Sequence, residues 1–400
     1  MQKVKQYLLK ADFLKDYKLA ILLWFGLVIL AILLTILHNS GNNNFLIFRQ
    51  VYFHTTAFKN LYTQYPLEYG DVNLYGPIFS IVIAPFALFS IFWGSFFWLL
   101  FLASVLFYAI MQLPINKNIK IAIIILNALE MMNVASYYQS NAFIAACILL
   151  GFVYINKGKD FWALFFILLA TFIKIYGIVG LAFFFFSKNK AKFVLYFIFW
   201  SAVFFVLPMA ISSYSFIIQC YKDWLAALTA KSIHNTDLNN TNNFQNISVM
   251  GMAQRIFSFA DGNNIFIYLS AIFLFSTQYL QIKYYSDIRY RLYLLCSVLL
   301  FVVIFSTGSE SSTYIIAFPA ICLWYYLQPN TKVANIFFAF AFIITSLAGT
   351  DLVTPYVREH FIRAYALKAL PAFITWLIIC WQINTKQFLK VNLQKTEFSK

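Results

Sequence analysis

Acidic residues are scarce in this chain of 400 residues, where 14 Asp and Glu stand against 29 Lys and Arg. Cysteine is scarcer, with five copies at 147, 220, 296, 322 and 380. They are scattered, form no CxxC pair and lie mostly within apolar runs, where a free thiol behaves as a small hydrophobe. This spacing supports neither a disulfide framework nor a metal site. The four histidines, His38, His54, His234 and His360, are equally dispersed, so no metal is expected. A Walker loop, a GxSxG elbow, an HExxH motif and a Gly-rich dinucleotide turn are all missing. Nucleotide binding and hydrolase chemistry therefore have no positive support, and no cofactor is expected.

Apolar residues are what the chain has in abundance: 62% of it is hydrophobic and 11% charged. Runs such as "KLAILLWFGLVILAILLTILH" from Lys18 and "AKFVLYFIFWSAVFFVLPMAI" from Ala191 recur. A span of about 20 apolar residues matches a bilayer core, and so many of them predict an all-α, polytopic integral membrane protein. The first run starts late, is long and lacks a small-residue cleavage site, which reads as a retained signal anchor. A net charge of +15 would suggest nucleic acid if its lysines were not gathered in short loops and at both termini, as cytoplasmic segments require. Membrane lipids, and no nucleic acid, are the expected partners.

Apolar segments are predicted at about 18–37, 77–112, 119–135, 141–156, 161–173, 175–187, 191–211, 264–281, 291–306, 313–327, 332–349 and 368–385. The long 77–112 segment is expected to break near Phe92–Ser95. Lys3, Lys5, Lys10 and Lys15 at one end and Lys386, Lys390, Lys395 and Lys400 at the other put both termini in the cytoplasm, which requires an even number of crossings. Counting 77–112 as one net crossing gives about twelve and keeps "NKNIK", "NKGKD", "SKNKAK" and "KYYSDIRYR" inside. A single membrane domain over 1–400 follows, with long outer loops at about 38–76 and 212–263 and shorter ones near 136–140, 307–312 and 350–367.

Most candidates for chemistry then fall on the outer face. "TQYPLEYGDVNLYGP" (63–77) carries Glu68 and Asp71 among tyrosines; tyrosines suit a membrane–water boundary, and loop acids often do no more than stay wet. Lys174, in "TFIKIYG", either snorkels to headgroups or faces a site for an anion. Glu130 sits at membrane depth, where an acid is costly and serves a function or a helix–helix hydrogen bond. "HNTDLNNTNNFQNISVMGMAQRIF" from His234 offers amides suited to sugar hydroxyls and Arg255 suited to phosphate, or else a plain loop. Its "NIS" sequon at 246–248 is a weak match. "STGSESSTYIIAFPA" from Ser306 sets Glu310 among hydroxyls.

In order and spacing, four of these pieces resemble glycosyltransferase family 87 over roughly residues 40–320. They are the "LY…P-x-F" stretch from Leu74 to Phe79, Gln139-Ser-Asn141, the Ile-Lys turn at Lys174, and Asn246-x-Ser248 with Arg255 downstream. The resemblance implies a multi-spanning type C glycosyltransferase fold. It also implies transfer of a hexose, often mannose, from a polyprenyl-phosphate sugar to a lipid-linked or glycan acceptor at the outer face of a membrane, here a bacterial inner (plasma) membrane. The donor would then need no nucleotide. Family members often carry an aspartate early in the first outer loop, where "NNNFLIF" places Asn44 instead. The general base is accordingly expected at Asp71, with Glu68 as second choice. Lys174 and Arg255 are assigned to the donor phosphate, and Gln139, Asn141, Asn246, Glu310 and Tyr75 to sugar or acceptor. A lipid-linked polysaccharide polymerase or ligase, using His234 and Arg255, is the rival enzyme reading. A transporter or flippase is the rival outside enzymes, but no internal repeat is visible.

Overall fold

The computed structural model describes residues 12–37, 43–237, 245–257, 264–329, 331–350 and 352–391. Lys3, Lys5, Lys10, Lys395 and Lys400, used above to place the termini, lie outside the described residues, as does the asparagine-rich stretch 238–244. All elements among the described residues are helical. In chain order they include α1 (Tyr17–Leu37), α2 (Asn43–Thr56), α3 (Phe79–Ala87), α4 (Ile91–Met111), α5 (Lys117–Ser136), α6 (Asn141–Asn156) and α7 (Asp160–Ile173). A 3₁₀ helix at Ile175–Phe186 leads to α8 (Lys190–Val206), α9 (Tyr214–Thr236), α10 (Val249–Phe257), α11 (Asn264–Thr277), α12 (Ile288–Ile304), α13 (Tyr314–Leu327), α14 (Lys332–Phe342) and α15 (Ala369–Asn384).

Among the described residues, four stretches are long and apolar enough to cross a membrane: Tyr17–Leu37, Ile91–Met111, Lys117–Ser136 and Lys190–Ile211. On α8 only Phe193 and Phe204 are buried, and α1 exposes Leu22, Leu33, Ile36 and Leu37. Apolar faces left this bare are stable in lipid, not in water. By contrast α6 is buried almost all round, from Asn141 to Ile155, as befits a helix surrounded by others.

The chain divides into two units. One comprises Phe25–Gln112 and Met132–Lys231. Within it α6 packs on α4 and α7, α2 on α3, and α7 on α8 and on the 3₁₀ helix. That 3₁₀ helix runs for 12 residues, far beyond the usual three or four. At about 2 Å rise per residue it reaches roughly 24 Å, where an α-helix of equal length reaches about 18 Å. The other unit comprises Met1–Trp24, Leu113–Met131 and Ser232–Lys400, with α12 packed against α13 and α15, and α10 against α15.

One expectation is corrected. The 77–112 segment breaks at Leu88–Ser90, not at Phe92–Ser95: α3 ends after Pro85, and Ser90 turns extended (ψ 157°) to start α4. Gly94 and Ser95 lie inside α4 and are buried; at Gly94 the absence of a side chain admits the Phe45 ring and the Phe86 carbonyl. The two long loops also hold helices, α2 in 38–76 and α9 and α10 within 212–263. The α2 segment is too polar for a membrane run, yet it buries Phe45, Ile47, Phe48 and Val51.

Candidate active site

In the unit of residues 25–112 and 132–231, four separated stretches of sequence meet. Tyr75 and Gly76 return the chain towards α3 and pass the end of α7, where the Gly76 N–H donates to the Ile173 carbonyl at 3.0 Å. A side chain at Gly76 would stand 2.0 Å from the Phe172 carbonyl oxygen and 2.9 Å from Trp224. Only glycine fits. Trp224 closes the same junction by donating its indole N–H to the Leu74 carbonyl at 2.9 Å.

Beside this crossing, the Tyr75 hydroxyl donates to Gln139 Oε1 at 3.1 Å and accepts from Ser140 Oγ at 3.0 Å. The Tyr75 ring stacks on Phe79, with centroids 4.6 Å apart. Gln139 and Ser140 follow a turn in which Tyr138 takes a left-handed backbone (φ 54°), a conformation that costs a bulky residue about 1–2 kcal/mol. One residue further on, Asn141 Oδ1 accepts from Lys174 Nζ at 2.9 Å. Lys174 stands at the joint between α7 and the 3₁₀ helix, in extended conformation (φ −145°, ψ 123°). It is half-buried, and its ammonium lies 4.6 Å from the centre of the Tyr176 ring. Tyr75, Gln139, Asn141 and Lys174 are thus one cluster: a cation that is partly open, held by an amide oxygen, amid hydroxyl and amide groups.

The two acids lie on the stretch that leads into Tyr75. Asp71 is exposed, and its Oδ1 accepts from the Val72 N–H at 2.8 Å. Its neighbour Gly70 donates its N–H to Asn43 Oδ1 at 2.7 Å, which ties this loop to the N-terminus of α2. Asn44 is next to that tie and donates to the Tyr137 carbonyl at 2.7 Å. The position where a family aspartate is expected is therefore occupied by an amide engaged with backbone, and the loop bearing Asp71 is tied to the adjacent residue. A helix N-terminus favours a negative charge placed near it. Glu68 is bonded to His54 Nε2 at 2.8 Å. His54 was noted in the sequence only as one of four scattered histidines.

The remaining candidates belong to the other unit. Asn246 is buried, in a left-handed conformation (φ 61°). Its Oδ1 accepts from Ser248 Oγ at 2.6 Å, and its amide donates to the Asn235 carbonyl at 3.2 Å. Ser248 Oγ in turn accepts from the Gly251 N–H at 3.1 Å, capping α10. A Cβ at Gly251 would fall 1.9 Å from the Asn246 carbonyl oxygen. Arg255 donates to the backbone carbonyls of Gln245 (2.7 Å) and Arg363 (3.0 Å). Burial lowers its pKa, although a guanidinium stays charged. Glu310 caps the turn Ser311–Thr313 with its carboxylate, and its backbone N–H donates in return to Thr313 Oγ1 at 3.0 Å. Glu130 is buried and paired with Lys368 at 3.1 Å; the ammonium also donates to Ser311 Oγ at 3.0 Å and its carbonyl at 3.1 Å. Lys368 escaped notice in the sequence because nothing marks it apart from other basic residues near helix ends. No group of His, Cys, Asp or Glu that would hold a metal occurs among the described residues.

Apolar helices with bare faces, together with a half-buried cation set among hydroxyls and amides, define a membrane protein with a polar site suited to an anionic, hydroxyl-bearing ligand. The model of glycosyltransferase family 87 matches residues 73–307, more than half of the chain. The chain belongs to that family and is a membrane glycosyltransferase. The match takes in Tyr75, Gln139, Asn141, Lys174, Asn246 and Arg255; it begins after Glu68 and Asp71 and stops before Glu310. No curated protein and no solved structure matches the chain significantly.

Proposed function

We propose that this enzyme moves a hexose, mannose-like in kind, from a polyprenyl-phosphate sugar to a hydroxyl of a lipid-linked or glycan acceptor. The reaction takes place at the outer face of a bacterial inner membrane, in a type C fold of about twelve spans with both termini cytoplasmic. Among the described residues, four long apolar stretches, seven shorter ones and Ile288–Ile304 are helices available for those spans. Short helices are tolerated where protein, not lipid, surrounds them.

Asp71 takes the proton of the acceptor hydroxyl as its oxygen attacks the anomeric carbon. The bond from that carbon to the carrier phosphate breaks, and the phosphate leaves with the electron pair, so the configuration inverts. Lys174 meets the charge that grows on the leaving phosphate, an electrostatic contribution usually at least as large as that of the base. Gln139, Asn141 and Tyr75 hold sugar or acceptor hydroxyls.

The observation that carries this reading is the junction of Lys174 with Asn141, at 2.9 Å, beside the Tyr75–Gln139 pair inside the family-matched region. The test is transfer by the purified, detergent-solubilised protein from a panel of radiolabelled polyprenyl-phosphate sugars to membrane lipid extract. Label moving from a hexose donor is the expected result. Transfer from nucleotide sugars alone would refute the reading.

A further inference from the structure

His54 is almost fully buried at the end of α2 (3% exposed), yet the side chain it bonds, that of Glu68, is 28% exposed. Its ring lies against two tyrosines of the following loop, with centroids 4.2 Å from Tyr65 and 6.2 Å from Tyr69. Between those tyrosines the chain makes one tight turn, with Glu68 N–H and Tyr69 N–H both donating to the Tyr65 carbonyl, at 2.8 and 2.9 Å. Just beyond it the Gly70 N–H is held by Asn43, the first residue of the same helix. The stretch 65–70 is therefore fastened to α2 twice, at His54 near its C-terminal end and at Asn43 at its N-terminal end. Asp71 follows the second fastening directly.

From this we infer that His54 is the positioning residue for Asp71: by donating Nε2–H to Glu68 it clamps the turn 65–69 on α2 and so fixes the loop on which Asp71 sits. The inference rests on the transfer reading for its catalytic consequence, but the clamp itself does not. The charged and titratable groups facing the imidazole are Glu68, Tyr65 and Tyr69 from the loop and Lys59 just after the helix. A carboxylate only accepts, so Nε2 carries the hydrogen. Burial lowers the imidazole pKa from its usual 6.5, outweighing the opposing pull of Glu68, and leaves the ring neutral at pH 7. In this arrangement Glu68 serves as an anchor, with Asp71 as the free base.

The test compares His54→Gln, whose side-chain amide keeps a donor near the Nε2 position, with His54→Ala in the full-length protein in detergent. Two readouts are taken, sugar transfer and hydrogen exchange at the Gly70 amide. The clamp requires that His54→Ala lose about 10–100-fold in kcat, the scale of a small misplacement of a catalytic group, with donor KM little changed. It also requires faster exchange at Gly70 and recovery of both properties in His54→Gln. Equal loss in both variants, or an unchanged Gly70 amide in His54→Ala, would overturn it. A wild-type protein without transfer activity would refute the transfer reading alone, because the Gly70 amide still decides whether the clamp exists.

Discussion

The polar groups around Lys174 and those around Asn246 are drawn from the same residue types, amides, hydroxyls and one basic side chain, but the two regions use them differently. Near Asn246 the bonds close on the protein itself. Ser248 caps α10 and donates to Asn246, Arg255 holds two backbone carbonyls, and Glu310 caps the turn Ser311–Thr313. Near Lys174 the ammonium is half-buried, and Asp71 in the same unit is exposed. Polar side chains bonded to backbone and to one another hold structure, while partly exposed cations and acids are suited to a ligand. On the proposed function, the Lys174 region is the site and the Asn246 region holds the fold together.

Substitutions should separate the two. Lys174→Met removes the cation proposed to face the leaving phosphate, so turnover should fall by about 10²–10³-fold with the melting temperature nearly unchanged. Retained turnover would make Lys174 a structural residue and erase the contrast. In the other unit Glu130→Ala strands Lys368 as a buried unpaired charge, which should cost about 3–5 kcal/mol of stability. Thermal unfolding in detergent measures that loss, and pairing the change with Lys368→Met should recover most of it. Ser248→Ala removes the cap of α10 and should cost about 1 kcal/mol, with turnover per folded molecule unaffected. Lost turnover there would move the Asn246 region into the site.

The smallest effect is one of pH. Because His54 is held neutral by burial, the unfolded chain binds its proton more readily than the folded one. Stability should therefore decline as pH falls from about 6.5 through the lower folded value. A melting-temperature profile should show this decline in the wild type and a shallower one in His54→Gln.

Tyr75, Gln139, Asn141 and Lys174 stand out in the sequence because each belongs to a short motif whose order resembles a known family. That they meet in one cluster was not legible, since residue 75 and residue 174 are far apart in the chain. His54 was missed because the stretch 43–56, too polar for a membrane run, read as loop. The signal was there: Ile47, Val51 and His54 repeat at helical spacing and are buried together. The partners of Asn246, Arg255 and Glu310 were not readable in the sequence. An amide, a guanidinium and a carboxylate are as well suited to capping a helix or holding a carbonyl as to binding a sugar, and only the partners decide. The break in 77–112 was misplaced for a related reason, because Gly94 and Ser95 look like a turn but are buried inside a helix, Gly94 serving close packing.

The most direct measurement is the rate of sugar transfer by Asp71→Asn beside Glu68→Gln and wild type, each checked for folding by its melting temperature. Asp71→Asn should lose about 10²–10⁴-fold, the usual contribution of a general base, while Glu68→Gln, still able to accept from His54, should keep most of its activity. Wild-type turnover in Asp71→Asn, or its collapse in Glu68→Gln alone, would contradict Asp71 as the base.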